Sequence, residues 1–96
     1  MTPEKYWKYV ERKVARIIGG KRIPAAGEKL PDVVSDFLVV EVKSRKALPR
    51  WIVEALASAQ GKAKSDQFPA AVLWEYGESD GILVCSLRDF AKWFCK

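Results

Sequence analysis

Residues 32–43, DVVSDFLVVEVK, are rich in β-branched side chains and are interrupted by the polar pair Ser35-Asp36. β-Branched residues favour strands, and a short polar pair between two such runs is typical of a tight hairpin turn. We therefore predict a two-stranded hairpin with its turn at Ser35-Asp36. This register pairs Val33 with Leu38, and one face of the hairpin has to be covered by the rest of the chain.

The side chains of this hairpin alternate between two faces. The predicted core face carries Val33, Leu38, Val40 and Val42. The opposite face carries Asp32, Val39, Glu41 and Lys43. In this register Asp32 and Glu41 are diagonal neighbours, roughly 7–8 Å apart at the backbone, so both carboxylates can reach one ion. Asp36, at the turn, lies about 16 Å from Glu41 along the strand and is the weaker candidate.

Hydrophobic periodicity and end signals predict the remaining elements. A helix over residues 3–18 starts at the N-cap Thr2 and stops at Gly19-Gly20. An edge strand over 20–24 precedes the hairpin. A second helix over 49–64, strands over 69–76 and 81–85, and a helix over 86–95 follow it. The predicted order is αβββαββα: a single α/β domain over residues 1–96, with a mixed sheet flanked by helices.

The first helix has one apolar arc and one basic face at 100° per residue. The arc consists of Tyr6, Trp7, Val10, Val14, Ile17 and Ile18. Glu11 lies at the edge of this arc instead of among the basic residues. Burying a carboxylate is costly unless a partner pairs it, so we treat Glu11 as a candidate functional residue.

The chain of 96 residues contains no histidine, which excludes His-ligated zinc and catalysis by Ser-His-Asp or Cys-His groups. Any chemistry has to use carboxylates and lysines. Two cysteines are too few for a zinc knuckle or a disulfide scaffold and favour a reducing compartment. The sequence shows neither a signal peptide nor an 18-residue apolar stretch, so we expect no membrane association and a cytoplasmic location.

The net charge of +5 is unevenly distributed. Residues 1–64 contain 14 Lys and Arg against 7 Asp and Glu. Such an excess favours a polyanionic partner such as nucleic acid, and the alternative is a charged surface that only confers solubility. The basic residues expected to contact such a partner are Lys5, Lys8, Arg12, Lys21, Arg22, Lys29, Arg45 and Lys46.

The two hairpin carboxylates indicate a site for a hard divalent cation. Mg²⁺ characteristically binds one or two carboxylates together with waters and a substrate phosphate. Lys43, two positions after Glu41, can orient an attacking water or neutralise charge on the phosphate. The Glu-x-Lys tripeptide alone is not specific, since Glu11-Arg-Lys13 repeats it on a helix. Its position after Pro-Asp and a hairpin makes phosphodiester hydrolysis the predicted chemistry.

Pro31-Asp32 followed by Glu41-Val-Lys43, within PDVVSDFLVVEVKSR, resembles the PD-(D/E)xK nuclease superfamily. The order of elements around it, with VERKV in the first helix and RIPAAG before the hairpin, is similar to archaeal-type and phage Holliday junction resolvases over about residues 9–95. The resemblance implies a restriction-endonuclease-like fold, Mg²⁺ with Mn²⁺ as a substitute, branched or duplex DNA as substrate, and a homodimer.

The resemblance also implies roles for individual residues. The implied metal ligands are Asp32, Glu41, Glu11 and the backbone carbonyl of Val42. The implied catalytic residues are Glu11, Asp32, Glu41, Lys43 and, as a supporting glutamine, Gln60. One departure is that Ala26 precedes Gly27, where many resolvases have a serine that contacts phosphate.

The sequence therefore predicts a metal-dependent endonuclease that hydrolyses phosphodiesters in branched DNA, as a Holliday junction resolvase does. Two alternatives remain open. One is another PD-(D/E)xK nuclease that acts on flaps, mismatches or restriction sites, and the other is a non-catalytic nucleic-acid-binding module. The predicted place of action is the cytoplasm, on nucleoid DNA, for a cellular or a phage-encoded protein.

Overall fold

The computed structural model describes residues 2–24 and 30–95. They form a mixed α/β structure with three helices and two small antiparallel sheets. The chain divides into two compact units, one reaching to Lys46 and including Cys95, and the other spanning Ala47–Phe94. The single mixed sheet predicted from the sequence is therefore not observed among the described residues, because the strands of each unit pair only with one another.

The first unit begins with helix α1 (Pro3–Ile18). The hydroxyl of the N-cap Thr2 accepts a hydrogen bond from the amide of Lys5 at 3.2 Å, and proline occupies the first turn. The helix ends at Gly19, whose φ of 70° is left-handed and suits glycine. Both predicted ends of this helix are confirmed.

A three-stranded antiparallel sheet follows α1. Its strands are β1 (Lys21–Arg22), β2 (Val33–Val34) and β3 (Val39–Val40), in the order β1-β2-β3. Gly20 lies so close to β2 that a Cβ atom there would overlap the carbonyl oxygen of Val34. The absence of a side chain at this position therefore lets the chain pass from α1 directly onto the sheet.

The hairpin register differs from the prediction by two residues. Val33 pairs with Val40, and the amide of Ser35 donates to the carbonyl of Leu38 at 2.9 Å. Ser35 therefore closes the turn, and residues 36–37 occupy it. A shift of two residues keeps every side chain on its predicted face, because the side-chain period of a strand is two.

The core of this unit is small. Val33 is fully buried, and Ala15 and Ile18 are buried against it. Partly buried apolar residues pack around these three, namely Val14, Ile17, Leu38, Val40, Val42 and Cys95. This confirms the predicted core face of the hairpin. The first turns of the predicted apolar arc of α1 are not buried, since Tyr6 and Trp7 are 48% and 56% exposed.

The second unit contains helix α2 (Arg50–Lys62), strands β4 (Ala71–Trp74) and β5 (Gly81–Val84), and helix α3 (Leu87–Phe94). The two strands form an antiparallel pair. The hydroxyl of Ser86 accepts from the amide of Asp89 at 3.2 Å and caps α3. Phe68 packs its ring against Phe94 of α3, with centroids 5.5 Å apart.

Within residues 2–24 and 30–95, no helix combines the length and the apolar character needed to cross a membrane.

Candidate functional site

One cavity in the first unit collects most of the predicted site residues. It has a volume of about 390 Å³ and is lined by Trp7, Glu11, Asp32, Val42, Lys43, Ser44 and Arg45. Helix α1 contributes the first two side chains. The others come from the end of the hairpin, where β2 begins and where the chain leaves β3. The cavity thus brings together two carboxylates and two basic groups from segments distant in sequence.

Asp32 is held in place by three hydrogen bonds. Its backbone amide donates to the carbonyl of Val40 at 3.1 Å, and its backbone carbonyl accepts from the amide of Ile23 at 2.9 Å. Its side-chain Oδ2 accepts from the amide of Val42 at 2.7 Å. The second carboxylate oxygen, Oδ1, accepts no hydrogen bond from the described residues. Asp32 therefore lines the cavity with a fixed carboxylate that has one oxygen available to a ligand.

The regular ladder of this hairpin ends at Asp32. Val33 pairs with Val40, and the amide of the preceding residue, Asp32, donates to the carbonyl of the same Val40 at 3.1 Å. Two residues of one strand therefore lie against one residue of the other, and the register does not continue. Beyond this point the amide of Val42 donates to the Asp32 carboxylate, and β3 ends at Val40.

Glu11 has the ionic partner that its position requires. Its Oε1 lies 2.8 Å from Nε of Arg22, and both side chains are 18% exposed. A charge-assisted hydrogen bond of this kind offsets the cost of burying the carboxylate. Glu11 thus lines the cavity but is already paired. Arg22, predicted to contact DNA, is part of this ion pair.

The other predicted basic residues lie in several different environments. Lys43 and Arg45 are exposed and line the cavity. Lys8 forms an ion pair with Glu4 at 3.2 Å. The remaining described ones are exposed: Lys5, Arg12, Lys21 and Lys46. Lys29 lies outside the described residues, as does the loop in which Ala26 replaces the family's serine.

Two predicted site residues are not brought to this cavity. Glu41 is exposed and does not contribute to its lining. Gln60 lies in the second unit, where it lines a different cavity of about 360 Å³. Within the described part of the chain, no group of three or more acidic or cysteine side chains is arranged to hold a metal ion. The expected convergence of three carboxylates is therefore not observed there.

The donors at the cavity nevertheless fit a hard cation that retains part of its water shell. Mg²⁺ prefers oxygen ligands and commonly takes only one or two carboxylates from the protein. The cavity is lined by Asp32, Glu11 and Val42, three of the residues expected to hold the metal. A cation there would need no histidine, which agrees with the composition of the chain.

Sequence reasoning missed two features of this site. Trp7 lines the cavity although its periodicity placed it on the buried arc. Its spacing of four residues from Glu11 was the available signal, because such residues are neighbours on one helix face. The pairing of Glu11 with Arg22 had no local signal, since it joins α1 to β1 across a turn.

Comparison of the chain with protein-family models, curated proteins and solved structures finds no match.

Proposed function

We propose that this protein is a metal-dependent, structure-selective DNA endonuclease of the PD-(D/E)xK superfamily, with a restriction-endonuclease-like fold, that hydrolyses phosphodiesters in branched DNA as Holliday junction resolvases do. One observation carries the proposal. Asp32, Glu11 and Lys43 line the same cavity, and a Pro-Asp hairpin provides the first and third of them. Together they supply the two charge types that phosphodiester hydrolysis requires.

Each residue at the cavity has a defined task in this proposal. Asp32 and Glu11, with the Val42 carbonyl, would hold Mg²⁺, which supplies charge neutralisation of the phosphate and activation of water. Lys43 lines the same cavity, where its ammonium group would orient the attacking water or stabilise negative charge on the phosphate. Arg45 binds a neighbouring phosphate through its guanidinium group.

The exposed basic residues of the first unit support DNA as the substrate. Lys5, Arg12, Lys21 and Lys46 are free to contact a phosphate backbone, and such contacts supply most of non-specific DNA affinity. Resolution of a four-way junction needs two symmetric cuts, so the active form in this proposal is a homodimer. The proposed location is the cytoplasm.

A second candidate is a DNA-binding domain without catalytic activity. Glu41, which the family pattern assigns to the metal, lies outside the cavity, and Glu11 is already paired with Arg22. Both observations favour this alternative. It retains the basic surface and the salt-dependent affinity but lacks hydrolysis.

Cleavage of labelled DNA separates the two candidates. Wild type, Asp32→Asn and Asp36→Asn are incubated with a four-way junction, a flap and a linear duplex of matching sequence, in Mg²⁺ and in EDTA. We expect paired, Mg²⁺-dependent cuts in the junction by the wild type, loss of cleavage in Asp32→Asn with DNA binding retained, and full activity in Asp36→Asn. Asp36 is the matched control because it lies at the exposed turn of the same hairpin.

Binding of all three substrates without cleavage by the wild type would select the non-catalytic alternative. Cleavage of the flap or the duplex in preference to the junction would select a different nuclease of the superfamily. Two further variants test individual roles. Lys43→Ala should abolish cleavage and preserve binding, and Glu41→Gln shows whether Glu41 contributes from outside the cavity.

A further inference from the structure

We propose that Trp7 is a base-stacking platform, which takes an unpaired nucleobase beside the phosphate bound in the cavity. This inference rests on the proposed function, because it assumes that the cavity receives a nucleic-acid phosphate. It adds a binding site for the base itself, and hence a physical reason to prefer DNA in which bases are unstacked.

The exposure of Trp7 is the first observation. Its periodicity places it on the apolar arc of α1, yet it is 56% exposed. Other aromatic residues of the chain are as exposed, among them Trp51 and Trp74, so the position of Trp7 at a concave surface is what distinguishes it. Trp7 lines the cavity of about 390 Å³ and also an adjoining cavity of about 620 Å³, to which Glu11 and Arg22 contribute as well.

The neighbours of Trp7 are the second observation. Trp7 lies one helical turn before Glu11, so the two side chains are adjacent on the surface of α1. Lys43 and Arg45 line the same cavity as Trp7. An aromatic ring beside two cations is the combination by which proteins bind single-stranded nucleic acid, with the ring stacking on a base and the cations binding the backbone.

This arrangement favours a particular class of substrate. In an intact duplex both faces of a base are covered by its neighbours, so a tryptophan ring cannot stack on it without unstacking the helix. At a branch point, a flap or a single strand a base can be exposed at lower cost. Trp7 would therefore contribute affinity for nucleotides at such positions and little for continuous duplex.

Binding measured without metal tests the stacking site separately from cleavage. In EDTA, fluorescence anisotropy follows binding of a labelled thymidine oligonucleotide and of an abasic oligonucleotide with the same length and charge. Because stacking on one aromatic residue strengthens binding by about 5- to 150-fold, we expect the wild type to prefer the thymidine strand by that factor. Trp7→Ala should bind both strands equally, and Trp7→Phe should keep part of the preference.

Tyr6→Ala is the matched control. Tyr6 is the preceding residue of α1 and is 48% exposed, but it lines neither of the two cavities. This variant should retain the full preference for thymidine. Far-UV circular dichroism checks that each variant is folded. If Trp7→Ala is not folded, Trp7→Phe provides the test. In that variant the thymidine strand should quench tryptophan emission markedly less than it does in the wild type.

Equal binding of the two strands by the wild type would overturn the inference, and so would a preference that survives in Trp7→Ala or quenching unchanged in Trp7→Phe. The fate of the proposed function is read separately in the junction assay. A Trp7-dependent base preference without cleavage by the wild type would support the stacking site and refute the nuclease. Cleavage without any base preference would support the nuclease and refute the stacking site.

Discussion

The ion pair between Glu11 and Arg22 should stabilise the first unit far more than an ordinary surface pair. Both side chains are 18% exposed, and Nε of Arg22 lies 2.8 Å from Oε1 of Glu11. Hydrogen bonds to charged groups contribute about 1.5–3 kcal/mol to stability. Removing one partner of a largely buried pair costs more than replacing both partners, because the remaining charge is left without compensation. We therefore expect a coupling energy of about 2 kcal/mol.

A double-mutant cycle measures this coupling. The variants are Glu11→Gln, Arg22→Met and their combination, and urea unfolding is followed by far-UV circular dichroism. Arg22→Met should be the most damaging, with a loss of about 2–3 kcal/mol, because it leaves a half-buried carboxylate unpaired. Glu11→Gln should cost about 1 kcal/mol, since the amide oxygen still accepts from Arg22. With a urea slope of about 1–2 kcal/mol per M, these losses shift the midpoint by roughly 0.5–3 M.

The chain offers a matched control in the pair formed by Glu4 and Lys8 on the same helix. Their charged atoms are 3.2 Å apart, but the side chains are 73% and 45% exposed. Exposed pairs at this spacing contribute about 0.3–0.5 kcal/mol. If the cycle for Glu11 and Arg22 gives a value as small as that for the control, the reasoning from burial is wrong. A large value would instead establish that Glu11 anchors β1 to α1 whatever its role in catalysis.

Three further predictions concern single residues. Gly20→Ala should lower the free energy of unfolding by about 1–3 kcal/mol, and with it the urea midpoint, since the added Cβ would overlap a carbonyl of β2. An unchanged midpoint would contradict this. Ser86→Ala should lower the free energy of unfolding by about 1 kcal/mol, measured by thermal unfolding, because it removes the cap of α3. Ser86→Asp should retain most of the stability, and an equal loss in the two variants would exclude capping. Burial, with a smaller contribution from Asp89, raises the pKa of the Cys85 thiol, so less thiolate is present at pH 8. In a Cys95→Ser background, iodoacetamide should alkylate Cys85 more slowly in the folded chain than in urea at that pH, as measured by mass spectrometry, and equal rates would refute the shift.

The ends of the helices were predictable because they depend on local chemistry. Thr2 satisfies an amide of the first turn of α1, Gly19 takes the left-handed conformation after its last turn, and Ser86 caps α3. Each of these contacts spans five residues or fewer, so the sequence around it contains all the necessary information. The two strands of the second unit were predictable for a similar reason, since they form a single hairpin.

The register of the first hairpin could not be predicted from hydrophobic alternation. The predicted and observed pairings place the same side chains in the core, because they differ by a slide of two residues. Only the turn distinguishes them. There the side chain of Ser35 accepts from the amide of Leu38 at 3.2 Å, beside the backbone bond between the same two residues. The sequence predicted Ser35 within the two-residue loop, whereas it flanks the loop and closes it by hydrogen bonds to Leu38.

The composition of the site depends on where that hairpin stops being regular. Alternation predicted Glu41 on the same face as Asp32, but regular pairing ends at Val40, and Glu41 lies outside the cavity. Lys43, two residues further on, does line the cavity. Regular pairing ends where the backbone amide of Asp32 donates to the Val40 carbonyl. Next to it is the bond between the Asp32 carboxylate and the amide of Val42, a contact between side chain and backbone that no periodic pattern encodes.

That bond also separates what Asp32 does for the fold from what it would do in catalysis. The amide of Val42 needs only an acceptor, and an asparagine oxygen supplies one with little change in shape. An amide cannot replace a carboxylate in neutralising a cation. Asp32→Asn should therefore unfold at a urea midpoint close to that of the wild type, whereas Asp32→Ala leaves the Val42 amide without its partner and should lose about 1–3 kcal/mol. Loss of cleavage in the stable asparagine variant would then report on the charge alone, and loss that accompanies unfolding in both variants would assign Asp32 to the structure of the hairpin.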